Sequence, residues 1–385
     1  GSTVARATAA PGPGPAVTWA VVAGGGTAGH VLPALAVAGA LVERGHPRQA
    51  IRFLGSSRGL EARLVPEAGF PVTLLPGRGL ARRVTLANVG AGAGLGWAVV
   101  KGLALMARWR PAVVLAVGGY AAVPGVVGAV LLRRPLVLHD QNAVPGLANR
   151  LAGRFARASA VSFEGTPLPR AVVTGNPVRP EVLRVDRSPA GRAAAREALG
   201  VPRSTVLVAV FGGSLGARRI NEAVFDLVEA WRRRDGLAVY HVVGSRDWAA
   251  MGERIPAPTQ DGLVYRAVEY EPRMPVLLAA ADLAVCRAGG TSVAELAAVG
   301  LPAVLVPLPN APGDHQTANA AALVRAGAAV LVPDVELTAE RLAHELDPLV
   351  DDPGRLEAMG KASLAMARPD AAERVASLLE HHARR

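Results

Sequence analysis

The sequence predicts an α/β protein of two doubly wound parallel sheets, and three observations predict it. A length of 385 residues is long for one core and comfortable for two. Hydrophobic residues make up 51% and charged ones 19%, with few aromatics, which suits short buried strands alternating with Ala-rich helices. A strand, a glycine turn and an apolar-periodic helix open the chain at TWAVVAGGGTAGHVLPALAVAGALVERG, and the same grammar returns near mid-chain at STVLVAVFGGSLGARRINEAVFDLVEAW.

Residues 1–16 are Pro/Gly/Ala-rich, non-periodic and without a basic-then-apolar signal pattern, so they are expected to form a flexible segment outside the fold. In the first half IRFLG, AVVLAVGG and PLVLHDQN read as strands; in the second AVYHVVG, LVYRAVEY, LAVCRAGG and AVLVPLP do. From Pro111 to Leu132 no side chain is charged, over about the length that spans a bilayer. Gly118-Gly119 and Pro124-Gly125 break that run twice, so a strand, a glycine loop and a short buried helix are expected there. Prolines and charges in GNPVRPEVLRVDRSPAGR place a hinge near Asn176 to Arg179, dividing the chain into domains over 17–178 and 179–365. Within 366–385 a last helix is expected from Asp370, with Asp370 as N-cap and Glu373 as its N3 partner. Its apolar residues Val375, Leu378 and Leu379 need a surface, which either domain could supply, packing back on the first being one arrangement.

The formal charge of +11 points to an anionic partner, and small-molecule phosphates, nucleic acid and a membrane surface satisfy it equally. The single cysteine, Cys286, precludes an internal disulfide and fits a reducing cytosol; its apolar flanks read as an inert core thiol.

Gly24-Gly25-Gly26-Thr27-Ala28-Gly29 satisfies the G-x-G-x-x-G fingerprint, in which small residues let backbone amides approach phosphate. A nicotinamide enzyme would also want an acidic residue ending the second strand. IRFLG instead runs into Ser56-Ser57-Arg58, which keeps a dehydrogenase open only through an arginine for a 2′-phosphate. No Asp-x-Asp occurs, so positive helix ends and an arginine, rather than a carboxylate metal clamp, are expected to carry any diphosphate.

In order along the chain stand GGGTAGHVLPALAVA, GGYAAVPG, HDQNAVPGLANRLA, TGNPVRPEV, FGGSLGARRIN, CRAGGTSVAELAAVGLPAVLVPLP and DHQTANA. Together they resemble the peptidoglycan N-acetylglucosaminyltransferase family, the makers of lipid II, over nearly the whole chain from about Val17. The resemblance implies two Rossmann-like domains of the GT-B type facing across a cleft. It implies inverting transfer of N-acetylglucosamine from UDP-N-acetylglucosamine to the muramyl 4-hydroxyl of undecaprenyl-pyrophosphoryl-muramyl-peptide, with no cofactor and no metal. The implied partners are these substrates, an anionic membrane surface on the cytoplasmic side, and other wall-building and division proteins, with no nucleic acid. A transferase for another lipid, such as diacylglycerol, and a catalytically idle sugar-nucleotide-binding scaffold are the alternatives. Four departures from the family pattern stand out: Ala28 for glycine, Asp140 for glutamate, Leu215 for glutamine, and Glu271-Pro272-Arg273 for an apolar-acidic run.

By this resemblance His30 is the candidate general base, with Asp140 the rival base or the group that orients one. Thr27, Gly29, Tyr120 and Asn142 are the acceptor-side candidates. The ribose-binding carboxylate falls on Glu295, although Ser292-Val293-Ala294-Glu295 also reads as a capping box with Ser292 as N-cap. Gly289, Gly290 and Thr291 lead a helix N-terminus suited to the diphosphate, to which Ser214 and Arg179 are expected to donate. His315 and Gln316 match a sugar-contacting pair, and Asn221 a further polar contact in the cleft. Between Glu67 and Asp140 every charged side chain is basic. With Leu80, Trp97 and Val100 set among Arg82, Arg83, Lys101 and Arg108, the segment from Leu80 to Trp109 is expected to lie on an anionic leaflet.

Overall fold

The computed structural model describes residues 17–76, 86–213, 216–259 and 261–384, and over 86–93 the backbone alone. Residues 1–16, Leu80, Arg82, Arg83, Ser214 and Leu215 therefore lie outside the described residues. The first sheet holds β1 (Ala20–Ala23), β2 (Ile51–Ser56), β3 (Val72–Leu75), β4 (Val113–Ala116), β5 (Leu136–Asp140), β6 (Ala158–Val161) and β7 (Ala171–Val173). They lie in the order β3-β2-β1-β4-β5-β6-β7, every pairing parallel. The second sheet holds β8 (Val206–Phe211), β9 (Leu237–Val242), β10 (Val264–Val268), β11 (Leu283–Cys286), β12 (Ala303–Leu305) and β13 (Ala329–Leu331), in the order β10-β9-β8-β11-β12-β13, again all parallel.

Helices cover both faces of each sheet, so the central strands are apolar on both sides; AVVA of β1 and LAVC of β11 are wholly buried. Burial also pushes the Cys286 thiol up to about 12, which makes it inert. Strand order reverses beside β1 in one sheet and beside β8 in the other, and a crevice at the carboxyl ends of the strands opens at such a reversal. The glycine loops follow these two strands.

The uncharged run from Pro111 to Leu132 forms β4, a single turn at Tyr120–Ala122 and the helix Val123–Leu131. Among the described residues no helix is long and apolar enough to cross a membrane. The chain passes to the second sheet after Gly175 and returns near Arg368. At Gly175, where φ is +84°, a Cβ would stand 2.4 Å from Arg368 Cβ, so the two crossing segments touch because this residue is glycine. The last helix, Ala371–His382, packs on the helix Ala28–Glu43 and on β4, β5 and β6, with Val375, Ala376 and Leu379 fully buried in the first domain's core. Its Glu380 takes hydrogen bonds from Arg44 Nε at 3.1 Å and sits 3.0 Å from His46 Nε2. Asp370 holds the N-cap position without a side-chain capping bond, so packing rather than a capping box fixes this helix.

Candidate active site

Beyond β1, Gly24, Gly25 and Gly26 all take positive φ and turn the chain into the helix Ala28–Glu43, whose N-cap is Thr27. His30 lies in the first turn. Its ring lies against the GGY loop, where a Cβ on Gly118 would come within 3.3 Å of Cδ2 and Nε2. Its Nδ1 is 3.0 Å from Thr27 Oγ1. Burial, and then the charge of His315, lower the pKa of His30 to about 4, so the ring is neutral near pH 7. A neutral ring that donates Nδ1–H to Thr27 keeps a lone pair on Nε2 for an incoming proton.

Asp140 ends β5, is 2% exposed, and is engaged on every side. It accepts from the Asn142 N–H at 3.0 Å, the Gly146 N–H at 3.2 Å and Asn149 Nδ2 at 2.9 Å. Burial raises its pKa and these donors oppose the rise. The geometry is that of a clamp on the HDQN loop, and the shorter aspartate reaches all three donors. Tyr120 donates its hydroxyl to Ser56 Oγ at 3.1 Å, and Asn142 Oδ1 accepts from Asn319 Nδ2 at 3.0 Å.

Across the crevice, the helix Gly290–Val299 begins one residue after an extended Gly289, and no side chain caps it. The capping-box reading is thereby corrected: Ser292 is already inside the helix, and Glu295 turns to the hinge instead. Glu295 Oε1 accepts from Arg179 Nε at 2.9 Å and Nη2 at 2.8 Å, leaving Oε2 open. Burial raises the Glu295 pKa against the pull of Arg179. Arg179, expected to donate to the diphosphate, gives Nε and Nη2 to this carboxylate. Gln316 Oε1 accepts from the Ala288 and Leu308 N–H groups at 3.2 and 2.9 Å, so its NH₂ is the end left for a ligand. His315 opens the helix His315–Arg325, with Nδ1 2.9 Å from the Pro312 carbonyl.

Asn221 is corrected outright, because it is fully buried beneath the second glycine loop rather than exposed in the crevice. Its Nδ2 donates to the Val243 carbonyl and to Asp247 Oδ2, each at 3.0 Å, and its Oδ1 lies 2.9 Å from His241 Nε2. Asp247 in turn abuts Gly216, where a Cβ would stand 2.4 Å from Oδ2. Asn221 therefore props the loop from within. Glu271 also turns inward, accepting from the Tyr240 hydroxyl at 2.6 Å and the Arg273 N–H at 2.8 Å. Those donors hold its carboxyl below the usual range despite burial.

The two sides meet closely. A Cβ on Gly290 would stand 2.2 Å from the Gln141 carbonyl, and one on Gly29 would lie 3.9 Å from Thr291 Oγ1. Asn319, fully buried, joins the domains: it accepts from the Ala143 N–H at 2.8 Å and donates to Asn142 Oδ1 and the Ala288 carbonyl, both at 3.0 Å. Sequence reasoning passed over Asn319, although it stands one helical turn from Gln316 on the same face. It also passed over Glu61, the first residue of the helix Glu61–Glu67, whose carboxylate is buried against the first loop.

Two parallel-sheet α/β domains whose loops meet across such a crevice define a fold of the GT-B type. The glycosyltransferase family 28 N-terminal domain pattern matches residues 20–161 and the C-terminal domain pattern residues 207–375. A protein of Desulforudis audaxviator named UDP-N-acetylglucosamine--N-acetylmuramyl-(pentapeptide) pyrophosphoryl-undecaprenol N-acetylglucosamine transferase is 40% identical, covering 94% of this chain and 97% of its own. A Nocardioides protein of the same name is 45% identical, over 93% and 96%. The crystal structure of Acinetobacter baumannii MurG superposes with a TM-score of 0.75 at 30% identity, covering 94% of this chain and 99% of that one. The chain belongs to glycosyltransferase family 28, in the group of N-acetylglucosamine transferases that these relatives represent.

Proposed function

We propose that the chain transfers N-acetylglucosamine from UDP-N-acetylglucosamine to the 4-hydroxyl of a lipid-linked muramyl-peptide, the acceptor in the first domain and the donor in the second. The observation that carries this reading is the approach of the two loops, with His30 on one side and the N-terminus of Gly290–Val299 on the other. The acceptor oxygen attacks the anomeric carbon, its proton passes to His30 Nε2, and the bond to the diphosphate breaks with inversion. Uncapped amides at Gly290 and Thr291 meet the charge that develops on the leaving UDP. Glu295 Oε2 takes the ribose hydroxyls while Arg179 holds Oε1, and the Gln316 NH₂ contacts the sugar. Asp140 shapes the acceptor loop rather than taking the proton.

The same reading sets the first domain on the inner leaflet as a peripheral protein. The helix Leu86–Trp109 exposes Trp97, Val100, Lys101 and Arg108 along one face, and Leu147, Leu151 and Phe155 stand exposed among Arg150 and Arg154. Radiolabelled UDP-N-acetylglucosamine with a lipid-linked muramyl-peptide tests the reaction: label moves to that acceptor. Transfer to another lipid alone would replace the acceptor, and donor binding without any transfer would make the chain a scaffold.

A further inference from the structure

The glycine loop after β1 already holds an anion, and that anion is a side chain of this chain. Glu61, 1% exposed, lies at the start of the helix Glu61–Glu67 and reaches back beneath the loop. The Gly26 N–H donates to its Oε2 and the Ser56 N–H to its Oε1, both at 2.7 Å. Three glycines make room for it: a Cβ at Gly25, Gly55 or Gly59 would stand 2.3, 2.4 or 2.0 Å from Glu61 atoms. Ser56 also receives the Tyr120 hydroxyl at 3.1 Å, so this carboxylate ties together the glycine loop, the end of β2 and the GGY loop. In a phosphate-binding loop of this type such backbone amides face the ligand's oxygens. Here Glu61 has taken the Gly26 amide.

We infer that Glu61 is a positioning residue. Its carboxylate fills the loop's anion cradle in place of any substrate phosphate, and so fixes the turn from which Thr27 and His30 project. The acceptor's diphosphate is therefore not held by the Gly26 amide. The positioning half of this inference rests on His30 as the proton acceptor; the filled cradle does not.

Glu61→Gln keeps the shape but turns an NH₂ toward one of two N–H donors, so one anchor is lost. The expected result is a kcat lower by about 10- to 100-fold, the usual effect of losing a hydrogen bond to a charged group, with donor KM unchanged. In Glu61→Ala, formate or acetate should restore part of kcat where chloride at equal ionic strength does not, a response that mere loss of stability would not give. A third arm uses the wild-type chain and needs no variant to fold. When inorganic pyrophosphate is titrated into ¹⁵N-labelled protein, the Gly26 amide resonance should stay in place. Movement of that resonance, or a Glu61→Gln variant with wild-type kcat, would overturn the inference. A His30→Ala variant of full activity beside an unmoved Gly26 resonance would remove the role of His30 and leave the filled cradle standing.

Discussion

In the proposed mechanism His30 can take a proton only while it is neutral, and burial with the nearby His315 keeps it neutral to an unusually low pH. Burial and His315 bring it from the ordinary 6.5 to about 4, so protonation withdraws the base only as the pH falls toward that value. The acid limb of kcat/KM is expected well below 6.5, and His30→Ala should lower kcat by about 10²- to 10⁴-fold with donor KM near normal. A limb centred at 6.5, or an alanine variant of unchanged kcat, counts against His30. On the donor side, Glu295→Ala should raise donor KM by the loss of charge-assisted ribose bonds worth roughly 1.5–3 kcal/mol. Arg179→Ala should shift the same constant in the same direction, and the double variant should fall short of the sum, because both changes act through one carboxylate. If melting temperature alone falls in these variants, the pair is structural. The placing of His30 and Glu295 at helix starts beside the crevice was legible because each follows a glycine turn inside a long motif. Asn221 was misplaced although Val224, Phe225 and Val228 mark its side of the helix as buried, because its partner His241 comes from a strand 20 positions away.

Among the elements, those that carry the chemistry were the easiest to read, since β1 and β8 are continuous apolar runs that end in glycine. The strands β3, β6, β7 and β13 were not singled out. They have three or four residues each, and β7 is exposed along most of its length, so neither alternation nor a long apolar run marks them. The start of Gly290–Val299 was misread for a related reason. A Ser-x-x-Glu spacing satisfies the local rule, but the glutamate's partner lies 116 positions away, and an extended Gly289 starts the helix earlier. The helix His315–Arg325 leads to a prediction of its own. Asn319 touches neither substrate in the proposed arrangement, yet it fastens the HDQN loop to the loop after β11 through three hydrogen bonds. Asn319→Ala leaves those groups unpaired in a buried place, at about 1–3 kcal/mol for each that finds no water. Melting temperature should fall and both KM values should rise together. A variant with unchanged stability and constants would show that the domains do not need this clasp.

As a whole the molecule is two sheets held by a double crossing, with the last helix returning to cover the first domain. Burial acts across both halves on its acid stability: His139 is lowered to about 4 and His241 to about 3. Between 6.5 and those values the unfolded chain binds protons that the native one does not, so stability falls as pH falls, by about 1.4 kcal/mol per pH unit for each such histidine. The raised carboxyls of Asp140 and Glu295 act in the opposite sense at the lower end. Urea midpoints measured from pH 7 to 5 should decline, and a flat profile would mean that these rings are reached by water. The charge of +11 is a property of the same scale, and where it sits decides how the molecule meets a membrane. Trp97 is 54% exposed with Lys101 Nζ 5.4 Å over its ring, and Leu147 is 71% exposed beside Arg150, so apolar anchors and cations are interleaved on two helices of the first domain. Exposed aromatic and aliphatic groups have no such neighbours to gain in water, whereas at an anionic leaflet they enter the headgroup boundary while the cations meet lipid phosphates. Each basic group at the surface contributes about 1 kcal/mol, so replacing Lys101, Arg108, Arg150 and Arg154 with glutamine should remove about 4 kcal/mol of vesicle binding if all four touch lipid. Added salt should weaken wild-type binding for the same reason. None of the four takes part in the proposed chemistry, so turnover on an acceptor short enough to be soluble should be unchanged, which separates lost binding from lost folding. Sedimentation with phosphatidylglycerol vesicles at low salt decides it: a quadruple variant that pellets as fully as wild type would mean that the protein meets the membrane through some other face.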